Sequence, residues 1–217
     1  MSAFGILFDM DGVIVDTNPA HNEALHQLFA RRGLSYSQEE INRRAHGRPN
    51  FEWIPDFIPV QNEQDIQQIA AEKEELFRTI YQKQMKSVSG LKPLLDLLQS
   101  YDVPMAVATS APVENVDFIL DGLDFRHYFK AILHSGHISK GKPDPEIYLK
   151  AAAALHLDPK DCIVIEDSIV GVQSGLAAGA TVIGISTTHE AAELKGASLV
   201  VSDFWQLGMD QLIGLLA

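Results

Sequence analysis

The chain has 217 residues, a formal net charge of −12 and one cysteine, Cys162. This length suits one large domain, or a core with a small accessory domain. The negative charge, with no cluster of Lys and Arg to offset it, argues against nucleic acid as a partner. No internal disulfide is possible, no apolar run approaches the ~18 residues of a membrane span, and no signal peptide is recognisable. We therefore expect a cytoplasmic protein that does not bind membranes.

Short apolar runs along the chain predict β-strands that alternate with helices. Several of the runs are continuous blocks of Val, Ile, Leu and Ala, which is typical of strands covered on both faces. Strand–helix alternation predicts an α/β fold, a doubly wound parallel sheet with a Rossmann-like core. The predicted strands are residues 4–10, 104–110, 130–136, 161–168, 181–187 and 198–203.

The first two predicted strands are separated by about ninety residues, far more than one crossover connection needs. This segment contains only helical patterns. One begins at Asn18-Pro19 and runs to about Arg32, Ser37 and Glu40 form a capping-box pattern, and residues 62–85 are amphipathic.

These patterns predict two domains. We expect an α/β catalytic core at residues 1–16 and 85–217, interrupted by a helical cap at residues 17–84. No exposed apolar seam stands out, so we expect a monomer.

Polar side chains follow four of the predicted strands. Ligand and catalytic sites of doubly wound sheets form at the carboxyl ends of the strands, so these side chains are expected to lie together. They are, in chain order, Asp9, Asp11, Thr109, Ser110, Lys142, Glu166 and Asp167.

This set of side chains suits transfer of a phosphoryl group through an aspartyl intermediate. Asp9 could attack phosphorus, but a phosphate would repel its carboxylate unless a cation intervened. Mg²⁺ prefers one or two carboxylates together with water and phosphate oxygens. Asp9 and Asp167, helped by Glu166, could hold that ion.

The other polar residues match the remaining needs of the reaction. Ser110 can donate a hydrogen bond to a phosphate oxygen, and Lys142 supplies positive charge and could pair with Asp9 before substrate arrives. Asp11 lies two residues beyond Asp9, where Gly12 eases a tight turn. From there Asp11 could act as general acid to the leaving oxygen and then as general base to water.

Taken singly, each signal has a simpler explanation. Residues 9–12 could form a polar turn, Ser110 and the acidic pair at 166–167 could cap helices, and Lys142 could lie on the surface. Their joint occurrence in one order at four strand ends is what makes the pattern specific.

Four segments, "DMDGVIVDT", "ATS", "GKPDP" and "IEDS", resemble in this order the motifs of the haloacid dehalogenase superfamily. The resemblance is closest to its β-phosphoglucomutase-like branch of sugar-phosphate phosphatases and mutases. It covers nearly the whole chain, including the helical insertion. The second aspartate of the first motif favours phosphate chemistry over carbon–halogen cleavage.

The resemblance implies a role for each motif residue. Asp9 is expected to be the nucleophile, Asp11 the acid/base, and Ser110 and Lys142 the phosphate binders. The expected Mg²⁺ ligands are Asp9, the backbone carbonyl of Asp11, Asp167 and Glu166.

The substrate is expected to be a small phosphorylated metabolite. In the cap, Arg48 aligns with a loop that meets the distal group of the substrate in this branch, and Lys73 and His21 are weaker matches. The full set of candidate substrate contacts is Thr17, His21, Gly47, Arg48, Lys73, Thr109, Ala111 and Asn115.

Three functions remain open from the sequence. The first is hydrolysis of a sugar or polyol phosphate, and the second is a mutase that transfers the phosphoryl group to a sugar phosphate. The mutase pattern has a lysine shortly after the second-motif serine, whereas this chain has "SAPVEN", with Val113 and Asn115. The third, a signalling receiver domain, is disfavoured because receivers lack a large helical insertion.

Overall fold

The computed structural model describes residues 4–45 and 48–216. The chain divides into two compact units, Met1–Asp16 with Lys86–Ala217, and Thr17–Met85. We call the first the α/β unit and the second the helical unit. Among the described residues, every helix is too short or too polar to cross a bilayer.

The α/β unit contains a six-stranded sheet whose paired neighbours are all parallel, in the order β3-β2-β1-β4-β5-β6. This order confirms the predicted doubly wound sheet. Each strand is shorter than its predicted run, because the polar residues at the run ends belong to loops. The strands are β1 (Gly5–Phe8), β2 (Met105–Ala108), β3 (Ala131–Leu133), β4 (Cys162–Glu166), β5 (Thr181–Ile185) and β6 (Leu199–Val201).

Both units contain helices. In chain order they are α1 (Asn18–Ala30), α2 (Gln38–Arg44), α3 (Asn50–Phe57), α4 (Glu63–Tyr81), α5 (Leu91–Ser100), α6 (Val113–Gly122), α7 (Glu146–Ala154), α8 (Ile169–Ala177) and α9 (Met209–Gly214).

The core of the α/β unit explains why its strands are mostly apolar. Leu7 and Val164 lie in one buried cluster with Ile147 of α7 and Val172 of α8. Helix α8 approaches the sheet closely, since a Cβ added to Gly175 would lie 2.9 Å from Cγ2 of Val182. A sheet covered on both faces favours apolar residues along β1 and β4, and the charged side chain of Glu166 comes only at the end of β4.

The helical unit has its own aromatic and aliphatic core. Phe29 of α1 packs against Trp53 and Phe57 of α3, with ring centroids 6.5 and 5.4 Å apart. Helix α3 was not predicted, because it is short and contains Pro55. Its formation depends on the tertiary packing of its apolar face, which outweighs weak local propensity.

The predicted capping box at the start of α2 is confirmed. The Ser37 hydroxyl accepts a hydrogen bond from the backbone N–H of Glu40, and the Glu40 carboxylate accepts one from the backbone N–H of Ser37 at 3.1 Å. Both bonds satisfy N–H groups that have no partner within a helix.

Ser37→Ala should lower the free energy of unfolding of the helical unit by about 1 kcal/mol, because one capping bond is lost. Urea unfolding followed by Trp53 fluorescence in a Trp205→Phe background measures the change. Ser35→Ala, at an exposed position outside the helix, is the control. Equal effects of the two substitutions would contradict the capping contribution.

Candidate active site

Strand register brings the carboxyl ends of the central strands to one level. Phe8 of β1 is paired with Val107 of β2 and with Ile165 of β4. The backbone N–H of Asp9 donates to the carbonyl of Ile165 at 3.1 Å. The first residues beyond each strand are therefore neighbours at the same edge of the sheet.

Lys142 lies at the centre of this edge and is 3% exposed. Its ammonium group lies 2.8 Å from Oδ1 of Asp9 and 2.6 Å from Oε1 of Glu166. It also donates to the carbonyl of Ala108 at 3.3 Å. The ion pair with Asp9 joins residues 133 positions apart in the sequence.

Three buried carboxylates form a cluster beside Lys142. One oxygen from each of Asp9, Glu166 and Asp167 lies within 4.8 Å of the others. With Lys142 charged, three carboxylates and one ammonium group carry a formal charge of −2 in a buried site. A divalent cation would balance that charge, and a donor set made of carboxylate oxygens suits a hard ion such as Mg²⁺.

The pKa values report the same excess of negative charge. Burial raises the pKa of Asp9 to about 7, against the opposing charge of Lys142. Burial, with the charges of Glu166 and Asp9, raises the pKa of Asp167 well above its usual value. Both shifts express the cost of ionising buried carboxyl groups that share only the Lys142 ammonium group as a neighbouring positive charge.

Glu166 is held by protein donors on both carboxylate oxygens. Oε1 accepts from Lys142 and from the hydroxyl of Tyr148 at 2.8 Å. Oε2 accepts from the backbone N–H groups of Asp167 and Ser168 at 2.9 and 3.0 Å, and from the Ser168 hydroxyl at 3.0 Å. Burial alone would raise the pKa of Glu166, but Lys142 and these hydrogen bonds hold it below its usual value. The role of Glu166 as a metal ligand stays a prediction.

Gly12 shapes the turn that follows β1. Its φ is +81°, in the left-handed region, and its N–H donates to the carbonyl of Val15 at 2.7 Å. A Cβ at this position would lie 1.9 Å from Oδ2 of Asp167. Any side chain here would displace Asp167, so glycine is required by conformation and by space.

Two threonines after β5 were missed by the sequence analysis. The Thr187 hydroxyl donates to the carbonyl of Gly12 at 2.6 Å, and the Thr188 hydroxyl donates to Oδ2 of Asp167. Both lie at the carboxyl end of a predicted strand, so the rule that found the other site residues would have found them too.

Tyr148 and Gly171 were also missed. Tyr148 is fully buried within α7, and its sequence position resembles that of an ordinary core aromatic. A Cβ on Gly171 would lie 1.8 Å from Oε1 of Glu166. No local pattern indicates the Tyr148 contact, because Tyr148 and Glu166 lie on different elements that meet only in the folded chain. Gly171, in contrast, lies in the helix that directly follows Glu166.

The loop after β2 carries the predicted hydroxyl group. The Thr109 side chain is buried and accepts from the N–H of Ala111 at 3.1 Å. The carbonyl of Ala111 accepts from the N–H of Ser135 at 3.0 Å. Ser110 is partly exposed in this loop, and Asn115 is buried in the first turn of α6.

Two of the residues predicted to contact substrate meet inside the helical unit. The Lys73 ammonium group lies 2.9 Å from Oε1 of Glu74 and 2.9 Å from Nδ1 of His21. Asn50 donates to the same Glu74 oxygen at 2.8 Å. The His21 ring stacks on Phe77, with centroids 3.8 Å apart.

The remaining candidates of the helical unit have other positions. Arg48 forms ion pairs with Asp56 at 2.9 Å and with Glu52 at 3.5 Å. Thr17 is the N-cap residue of α1. Gly47 lies outside the described residues.

Mg²⁺ should stabilise the folded protein, because it offsets the charge of the acidic cluster. At about 100 times its dissociation constant, the free energy of unfolding should rise by about 2.7 kcal/mol. Melting temperatures measured with EDTA and with increasing Mg²⁺ test this.

Asp167→Asn should raise the melting temperature in EDTA, since it removes one repelling charge, and should weaken Mg²⁺ binding at least about tenfold. Asp210→Asn, at an exposed position of the same unit, serves as the control. An Asp167→Asn variant that responds to Mg²⁺ like the wild type would contradict this site.

The chain is similar in sequence to enzymes that are named as phosphatases. The fructose-1-phosphate phosphatase YqaB of Escherichia coli (strain K12) is 33% identical over 83% of this chain and 95% of its own length. Hexitol phosphatase A of the same organism is 32% identical over 95% of this chain and 94% of its own.

A solved structure has the same fold. The β-phosphoglucomutase of Clostridium difficile matches with a TM-score of 0.88 and 24% identity, covering 99% of this chain and 97% of that one. The family model of haloacid dehalogenase-like hydrolases matches residues 6–185. Because this match spans most of the sequence, the chain belongs to the haloacid dehalogenase-like hydrolases, a family of enzymes that its four motifs had predicted.

Proposed function

We propose that this enzyme hydrolyses the phosphate ester of a small sugar or polyol through a phosphorylated Asp9. The observation that carries the proposal is the buried contact of Asp9 with Lys142, beside Asp167 and Glu166. The similarity to a fructose-1-phosphate phosphatase and a hexitol phosphatase supports the substrate class.

The residues fit a divalent ion, which we propose to be Mg²⁺. Asp9, Asp167 and the backbone carbonyl of Asp11 would hold it, with Glu166 adjacent. When bound, the ion would supply positive charge that offsets the charge of the transferring phosphoryl group. The all-oxygen donor set and the formal excess of two negative charges support this choice.

In the first step, a carboxylate oxygen of Asp9 forms a bond to phosphorus. The bond between phosphorus and the sugar oxygen breaks, and the Asp11 carboxyl group gives its proton to that oxygen. Ser110 and Lys142 donate hydrogen bonds to the phosphoryl oxygens. Although burial opposes its charge, Asp9 and Glu166 raise the pKa of Lys142 well above its usual value, so it remains a fixed cation.

In the second step, water hydrolyses the aspartyl phosphate. The Asp11 carboxylate takes a proton from the water as the water oxygen bonds to phosphorus. The bond between Asp9 and phosphorus breaks, and inorganic phosphate leaves. Asp9 and protonated Asp11 are thereby restored.

We further propose that the α/β unit is the catalytic core and that the helical unit is the cap. His21 and Lys73, which lie together in the helical unit, would recognise the part of the substrate beyond the phosphate. Thr17, Gly47 and Arg48 are proposed to assist in that recognition. The loop residues Thr109, Ala111 and Asn115 would line the phosphate side.

Asp9→Asn should reduce phosphate release to below about one thousandth of the wild-type rate, because the nucleophile is lost. The assay measures inorganic phosphate from fructose 1-phosphate and hexitol phosphates with Mg²⁺. The exposed-site variant Asp210→Asn should retain wild-type activity. Acid-quenched wild-type enzyme should carry one phosphoryl group on the peptide that contains Asp9, and a label on another residue would overturn the mechanism.

The reaction products should separate hydrolysis from phosphoryl transfer between sugars. We expect free phosphate, because Val113 and Asn115 replace the pattern in which mutases carry a lysine. The enzyme is incubated with β-glucose 1-phosphate, and glucose 6-phosphate and inorganic phosphate are measured together. Conversion to glucose 6-phosphate with little free phosphate would show a mutase instead.

A further inference from the structure

Tyr148 contacts two residues of the candidate site, Glu166 and Lys142. Its side chain is fully buried in α7, and its hydroxyl donates to Oε1 of Glu166 at 2.8 Å. The same oxygen accepts from Lys142 at 2.6 Å. The Lys142 ammonium group also lies 5.0 Å from the centroid of the Tyr148 ring.

Glu166 cannot easily move away from this contact. Its other oxygen, Oε2, is held by the Ser168 hydroxyl and by two backbone N–H groups. On the remaining side the carboxylate fills the space that a side chain at Gly171 would occupy, with Oε1 and Oε2 at 1.8 and 2.2 Å from the Cβ position. Glu166 is thus a rigid acceptor with one face towards Lys142 and Tyr148.

Lys142 is shared between two carboxylates. Its ammonium group is 2.8 Å from Asp9 and 2.6 Å from Glu166. The hydrogen bond from Tyr148 occupies part of the capacity of Oε1 to accept, and so limits how strongly Glu166 attracts the ammonium group. Without that bond, Lys142 would be drawn towards Glu166 and away from Asp9.

We propose that Tyr148 is a positioning residue that acts through Glu166 to keep Lys142 directed at Asp9 and at the phosphoryl group. The proposal rests on the proposed function of Lys142 as a phosphate binder. It assigns Glu166 a role towards Lys142, in addition to any contact with the metal ion.

The chain contains a matched arrangement that serves as a control. In the same unit, Tyr128 donates to Asp96, which pairs with Lys92 at 2.9 Å. Lys92 lies 5.9 Å from the Tyr128 ring centroid. This lysine, carboxylate and tyrosine repeat the chemistry, but the Lys92 and Asp96 side chains are more than half exposed.

The kinetic test compares Tyr148→Phe with Tyr128→Phe. We expect Tyr148→Phe to lower kcat about tenfold and to weaken inhibition by vanadate, an oxyanion that mimics the transferring phosphoryl group, by a similar factor. The Mg²⁺ concentration for half-maximal activity should stay within about twofold, because Asp9 and Asp167 remain in place. Tyr128→Phe should match the wild type in all three measurements.

Three results would overturn the proposal. The first is a Tyr148→Phe enzyme with wild-type kcat, vanadate inhibition and melting temperature. The second is a loss of Mg²⁺ affinity as large as the loss of vanadate affinity, which would place the effect at the metal ligands. The third is a lower melting temperature with unchanged kinetics, which would show a purely structural role.

A second measurement does not depend on turnover. The ¹⁵N-labelled ammonium signal of Lys142, assigned with Lys142→Arg, is compared in metal-free wild type and in Tyr148→Phe. We expect the signal to shift in Tyr148→Phe and to stay in place in Tyr128→Phe. If the wild type released no phosphate, the proposed function would fail, but the Lys142 signal would still test the positioning role of Tyr148. A signal that does not shift in Tyr148→Phe would overturn that positioning role.

Discussion

The buried ammonium group of Lys142 holds together carboxylates that would otherwise repel one another. Removing a charged group from water costs several kcal/mol even after the protein relaxes. The α/β unit buries Asp9, Glu166 and Asp167 in one place beside Lys142. A further cation would balance the charge of this site, and for that reason we propose that it binds a metal ion and a phosphate.

Two glycines are as important to this site as its charged residues. Gly12 leaves room for the Asp167 carboxylate, and Gly171 leaves room for Glu166. The two carboxylates are then fixed by hydroxyl groups, those of Thr188 and Ser168. Glu166, the last residue of β4, and Asp167, which follows it, are therefore held by Ser168 in the adjacent loop and by Thr188 in the loop after β5.

Much of the fold and part of the candidate site could be predicted from the sequence. The apolar runs predicted the six strands, and the rule that sites form at strand ends predicted that Asp9, Lys142 and Asp167 lie together. The strands and the proximity of these three residues are confirmed, because both depend on local composition and on a topology that strand–helix alternation nearly dictates. The catalytic and metal-binding roles of the three residues stay predictions. The capping box at Ser37 was predictable for the same reason, since its four residues are consecutive.

The sequence by itself determined the fold class, the family and the identity of the charged residues, because hydrophobic periodicity and strand-end motifs are local patterns. Only the tertiary structure decided which oxygen each donor meets. Helix α3 formed despite Pro55 because its aromatic side chains had a core to enter. Tyr148 reached Glu166 because α7 packs across the sheet, and a contact between residues 18 positions apart on different elements leaves no periodic trace in the sequence.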